Sequence, residues 1–173
     1  MKLLMIIAGL LFAYQTSAQK LYKDYTFYPQ ETGTLYFIFP QKGFKSSQPS
    51  HPKGLEYDIT YFTANDSVTF TYTYLSKNVC PTDSLSFISS GCSTHTAKAE
   101  MLFVEPLKGL WRQRATVKIP CSLIISFYKN EAPYSLVIHS HGQRTDYTLP
   151  GSRWKKQQRL ISRVFEMIHY NKQ

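Results

Sequence analysis

The chain has 173 residues, 43% hydrophobic and 15% aromatic, with 13 tyrosines, 11 phenylalanines and a formal net charge of +9. That apolar and aromatic content excludes an intrinsically disordered chain, and the length suffices for one domain that buries roughly two-thirds of its unfolded surface without a metal or disulfide framework. The positive balance points to anionic neighbours such as lipid head groups or acidic glycans; the competing reading is that the charge serves solubility alone.

Lys2, the apolar run Leu3 to Ala13 and the small residues Thr16-Ser17-Ala18 have the three parts of a secretory signal, with cleavage expected ahead of Gln19. The apolar run is shorter than the roughly 20 residues a spanning helix needs. The expected organisation is therefore a leader over 1–18 and a single β-rich domain over 19–173, secreted or periplasmic, with no transmembrane segment in the mature chain.

Leu21 to Tyr28 reads as a first strand, and Gly33 to Phe39, apolar on both faces, as a central one. Pro40 to Gly54 holds three prolines, two glycines and three lysines and is expected to be a long loop, either a binding lip or a plain connector, with Phe44 lacking a periodic partner. From Leu55 to Leu75 the alternation is strict. Leu55, Tyr57, Ile59 and Tyr61, then Val68, Phe70, Tyr72 and Tyr74, take one face, while Glu56, Asp58 and the threonines take the other. With Asn65-Asp66 between the runs, this predicts an antiparallel hairpin whose polar face is solvated.

Ser84 to Ser89 is a short strand, Ser90 to Lys98 a polar loop, and Ala99 to Glu105 a further apolar run. In Arg112 to Ile119, Ala115, Val117 and Ile119 point inward and Arg114, Thr116 and Lys118 outward. Pro120-Cys121 is expected to be a bulge or turn, Ser122 to Tyr128 another strand, and Lys129 to Pro133 a turn. Tyr134 to His139 and Arg144 to Leu149 form a second hairpin, with Gly142 free to take a positive φ. The period then becomes helical over 152–170: Trp154, Ile161, Val164, Phe165 and Ile168 share one face and Lys155, Lys156, Arg159 and Arg163 the other.

The fold class is mainly β: an antiparallel sandwich or barrel-like meander of about nine or ten strands with a C-terminal amphipathic α-helix. A strand meander with a trailing helix is similar in outline to lipocalin-like barrels. Gly33 is followed by Thr34 and Leu35 rather than by that family's Gly-x-Trp, so the resemblance implies an architecture and no site residue.

Chemistry is thinly supplied. His139 and His141 form an H-x-H at a strand end, spaced as two metal-ligating imidazoles require, with His95 or His51 available as a third ligand; the competing reading is two surface histidines beside a turn. Ser140 between them points to the opposite face, and there is neither a Gly-x-Ser-x-Gly elbow nor a glycine-rich phosphate loop. No catalytic residue, metal or cofactor is assigned. Cys80 and Cys92 flank a short polar segment and form the pair that spacing favours for a disulfide, worth ~3 kcal/mol; the alternative is three free thiols including Cys121. Arg153, Lys155, Lys156, Arg159 and Arg163 form the candidate surface-binding patch, the other reading being a solvated helix face.

The expected role is a non-enzymatic binding or interaction module of the cell envelope. One alternative is an envelope hydrolase or metal-dependent enzyme using His139 and His141. Another is a peripheral binder of anionic lipid or glycan through the basic helix. The sequence identifies no partner; the candidates are an anionic lipid, a glycan or another envelope protein, with no nucleic acid expected. A carrier of an apolar ligand would need an interior cavity lined by the tyrosines and phenylalanines of the hairpin strands.

Overall fold

The computed structural model describes residues 23–89, 92–129 and 134–170, with no side-chain description for 92–94. The expected leader lies outside the described residues. The described residues form ten strands: β1 (Tyr25–Gln30), β2 (Gly33–Ser46), β3 (Leu55–Phe62), β4 (Ser67–Ser76), β5 (Ser84–Ser89), β6 (Cys92–Lys98), β7 (Glu100–Leu107), β8 (Leu110–Pro120), β9 (Tyr134–Ser140) and β10 (Gln143–Thr148). Two helices accompany them among the described residues, α1 (Cys121–Lys129) and α2 (Gly151–Tyr170). Among the described residues no helix is long and apolar enough to cross a membrane.

The hairpin predicted over Leu55 to Leu75 is β3–β4, with Tyr57 opposite Tyr72 and Ile59 opposite Phe70. The whole of β4 lies in turn against β8, Phe70 opposite Val117 and Tyr72 opposite Ala115. All of these side chains are buried, as alternation on a pleated surface demands. All strand pairs are antiparallel, and the order is β6-β5-β9-β10-β2-β3-β4-β8-β7, with β1 added beside β2. The two ends of that path, β6 and β7, are consecutive in the chain with only Ala99 between them. One bent strand thus passes from one side of the molecule to the other, and the sheet is a nearly closed barrel.

Four expectations are corrected. Leu21 and Tyr22 of the first predicted strand lie outside the described residues; within them β1 begins at Tyr25 and ends at Gln30, two residues past the predicted Tyr28. The loop expected over Pro40 to Gly54 is half strand: β2 continues to Ser46, and Phe44 is fully buried. Its breakers sit at ladder irregularities, Pro40 between the Ile38 and Gln41 pairs and Gly43 between the Lys42 and Phe44 pairs. Bulges tolerate a missing N–H and a special φ, and Gly43 takes φ +135°. Past that corner Lys45 and Ser46 leave β3 and pair with Thr148 and Tyr147 of β10.

The polar loop expected at Ser90 to Lys98 is largely β6, paired with β5 from Ser84–Lys98 to Ser89–Cys92. Ser122 to Tyr128, expected as a strand, is helix α1, and Cys121 opens it. Its buried residues are Cys121, Ile124, Phe127 and Tyr128, a three-to-four spacing that a seven-residue apolar run conceals behind its β-branched content.

The helix expected over 152–170 is α2, starting one residue earlier. It buries Trp154, Ile161, Val164, Phe165 and Ile168, with Gln157 among them. Gln157 Oε1 accepts a bond from the Tyr57 hydroxyl (2.8 Å), its Nε2 donates to the Lys42 carbonyl (2.9 Å), and the Tyr128 hydroxyl donates to that of Tyr57 (2.6 Å). One buried polar chain thus ties α2 to β2, β3 and α1.

A run of rings fills the centre. Tyr57 stacks on Phe70 at 4.8 Å, Phe70 meets Phe87 at 5.1 Å, Phe87 meets Phe127 at 5.3 Å, and Trp154 lies 3.8 Å from Tyr134 and 5.1 Å from Tyr128. The space an interior carrier site would need is occupied by these rings, each worth about 1.5–3 kcal/mol of burial.

Candidate functional site

The outer faces of β3, β4, β7 and β8, with the end of β2, build a groove of about 550 Å³. Register places its residues. One rung carries Lys42, Glu56, Thr73, Arg114 and Phe103 across five strands; the next carries Leu75, Arg112 and Glu105. Period-2 alternation sends these side chains outward because their sequence neighbours Tyr57, Tyr72, Tyr74 and Ala115 point into the core.

Arg114 is the best-held group. Its Nη2 lies 2.5 Å from Asp58 Oδ2 and its Nη1 donates to Thr73 Oγ1 at 2.8 Å. Asp58, expected on a solvated face, is only 3% exposed. Burial raises its carboxyl above the ordinary value and Arg114 opposes that rise by hydrogen bond and charge. Lys42 pairs with Glu56 at 2.6 Å, and Arg112 pairs with Glu105.

Three further cations border the groove without an acidic partner among the described residues: Lys45 from β2, Lys53 from the loop before β3, and Arg153 from the first turn of α2. Gly43 lets Arg153 lie close, since a Cβ there would stand 3.1 Å from Arg153 Cδ. Six cationic side chains thus face one lining carboxylate, Glu56, around the apolar surfaces of Leu75, Phe103 and Leu107. Such a surface attracts an anionic group by charge and accommodates an apolar portion beside it. It holds no nucleophile paired with a base.

The five residues of the predicted helix patch are all exposed, and the apolar face of α2 packs inward. The structure divides the patch. Arg153 joins the groove, Lys155 and Arg159 border a smaller hollow of about 350 Å³ beside Trp154, and Lys156 and Arg163 line neither.

His139 and His141 take different surroundings. His139 Nε2 lies 2.8 Å from Ser86 Oγ, which is 2.6 Å from Thr96 Oγ1. His141 sits in the β9–β10 turn with φ +47°, followed by Gly142 at +75°, and its N–H donates to Asp83 Oδ2 at 2.7 Å. His51 contacts Ser50 Oγ through Nδ1 at 3.0 Å, beside the rings of Tyr74 and Tyr147. No three His, Cys, Asp or Glu side chains among the described residues come together as a metal site. The Ser86–His139 pair arises from β5–β9 pairing, which the sequence does not display. At 2% exposure Ser86 is out of reach of a substrate.

Cys80 Sγ lies 2.8 Å from Ser140 Oγ, and Cys121 is buried at the start of α1. The Cys92 half of the expected disulfide lies outside the described side chains.

Compared with protein-family models, with curated proteins and with solved structures, the chain matches none.

Proposed function

We propose that the protein is a non-catalytic binding module of the cell envelope that takes an anionic, partly apolar ligand in the cationic groove, a phosphate-bearing lipid being the chemistry it fits best. The observation that carries this reading is the convergence of six cations from four separate stretches of chain on the apolar surfaces of Leu75, Phe103 and Leu107. Lys45, Lys53 and Arg153 have no acidic partner among the described residues to satisfy, so their charge is available to a ligand. An apolar floor distinguishes the groove from a surface made basic for solubility, whose charges would be dispersed over polar ground.

The test is calorimetric titration of the protein with dihexanoyl phosphatidic acid and dihexanoyl phosphatidylcholine as free monomers. The anionic lipid is expected to bind more tightly, with an affinity that falls steeply with salt. The exposed substitutions Lys45→Glu and Arg153→Glu are expected to weaken it by about tenfold each, the effect of about 1.4 kcal/mol. Equal affinity for the two lipids, or indifference to both charge reversals, would refute the proposal.

A further inference from the structure

Strand β7 has no buried residue along its length. Leu102, Phe103 and Val104 are consecutive and are 49%, 40% and 37% exposed, whereas a strand in an antiparallel sheet ordinarily hides one face. β8 is its ladder partner, and among the described residues no strand takes its other edge. At the hairpin tip Lys108 and Gly109 both take positive φ between the paired Leu107 and Leu110, the geometry of a tight two-residue turn.

An unpaired apolar edge invites either another strand or an apolar phase. The details of β7 disfavour another strand. The ladder slips between Met101 and Phe103, which makes Leu102 the extra residue of a bulge, and Pro106 removes a donor near the tip. Both are devices that prevent edge pairing. An anionic bilayer surface fits the same residues without a ladder. The apolar side chains would enter the head-group boundary while Lys108 and the groove cations stay at phosphate depth. Glu105 is neutralised there by its pair with Arg112. Entry is shallow, because unpaired strand backbone must keep water as a partner.

We infer that the β7–β8 hairpin is a membrane-entry element that seats Leu102, Phe103 and Val104 in the boundary layer of an anionic bilayer and so presents the groove to the head groups. The inference rests on the groove reading above and is tested apart from it. Trp111, paired with Pro106 near the tip, is half-buried, whereas Trp154 is buried in the core; the chain has two tryptophans in all. Intrinsic fluorescence therefore reports on the hairpin.

With vesicles of phosphatidylcholine containing phosphatidylglycerol, Trp111 emission is expected to shift to the blue and to be quenched by lipids brominated near the head group. Vesicles of phosphatidylcholine alone are expected to do neither. Leu102→Asp with Val104→Asp, both off the groove lining, is expected to lower vesicle partition by about tenfold or more and to leave the affinity for dihexanoyl phosphatidic acid within about twofold. Three outcomes overturn the inference: unchanged partition of the variant, vesicle binding without quenching of Trp111, or a vesicle-free dimer that the variant dissolves. Failure of the parent protein to bind the soluble anionic lipid refutes the groove instead and is read from a separate experiment.

Discussion

Replacing Arg114 by methionine keeps the aliphatic stem over the sheet and removes the guanidinium that faces Asp58. Asp58 is then a carboxylate, 3% exposed, without its cation. Stranding a fully buried charge costs about 3–5 kcal/mol. The Arg114 side chain is 30% exposed, so water can reach part of the space it leaves, and we reduce the expected loss to about 2 kcal/mol. With a urea m-value of about 2 kcal/mol/M, the unfolding midpoint falls by about 1 M.

The loss should depend on pH. Burial already holds the Asp58 carboxyl above its ordinary value against the opposing pull of Arg114, so the variant raises it further. A folded-state value above the unfolded one means that the folded state binds the proton more tightly. The penalty is therefore full above the raised value and relieved as pH falls through it. Urea titrations of Arg114→Met and of the double variant Asp58→Asn/Arg114→Met, near neutral pH and in mild acid, test both points. The double variant should recover most of the midpoint at neutral pH, and the single variant should approach it in acid. If single and double variants unfold alike at neutral pH, the ion pair does not have the role assigned here.

Tyr57→Phe should cost about 2 kcal/mol, because it leaves the Tyr128 hydroxyl and Gln157 Oε1 buried without partners. Tyr128→Phe spares the Tyr57–Gln157 bond and should cost clearly less by the same unfolding assay. Gly43→Val forces a β-branched residue to φ +135° with Cβ 2.9 Å from Leu149 Cδ1; a loss of about 2 kcal/mol and of about 6 °C in Tm is expected in a thermal melt. Burial raises Tyr57, Tyr72, Tyr128 and Tyr147 well above their ordinary value of 10.0 and pushes Tyr74 up to about 12. Their stabilising contribution is thus complete below 10 and is lost as pH rises from there toward the folded-state values. Alkaline titration should show the phenolate absorbance of these five appearing together with the loss of near-ultraviolet dichroism. Their ionisation in the intact fold would contradict their burial.

Where one face is core and the other polar, the pattern in the chain suffices. β3, β4, β8 and α2 are readable because Tyr57, Ile59, Tyr61 and their partners repeat at two, and Trp154, Ile161 and Ile168 at the helical period. The polar strand β6 escapes because Cys92 to Lys98 carries no run of large apolar residues. α1 escapes because Ile124 and Ile125 favour a strand locally, while the contacts of Phe127 and Tyr128 with Trp154 favour a helix. Pieces of the groove were visible as three lysines in one segment and Arg153 on a helix face. Their assembly was not visible, because Glu56, Thr73, Arg114 and Phe103 become neighbours through strand pairing between residues far apart in the chain. The same distance hid Asp58 from Arg114.

The corner at Gly43 leaves the barrel with a seam of unequal strength. β4 and β8 are joined over ten residue pairs, whereas β10 and β2 are joined over two, Tyr147–Ser46 and Thr148–Lys45. A join so short, between segments about a hundred residues apart, is expected to form late in folding and to open without the rest. Its amides should exchange with solvent through local opening while those of β3 and β4 wait for global unfolding. Lys45 belongs both to this seam and to the groove, and Arg153 stands just beyond the end of β10. A ligand bridging those two cations would splint the join, and binding to the closed form raises the cost of opening it. Occupancy of the groove would then register as slowed exchange at Tyr147 and Thr148, which do not line the groove.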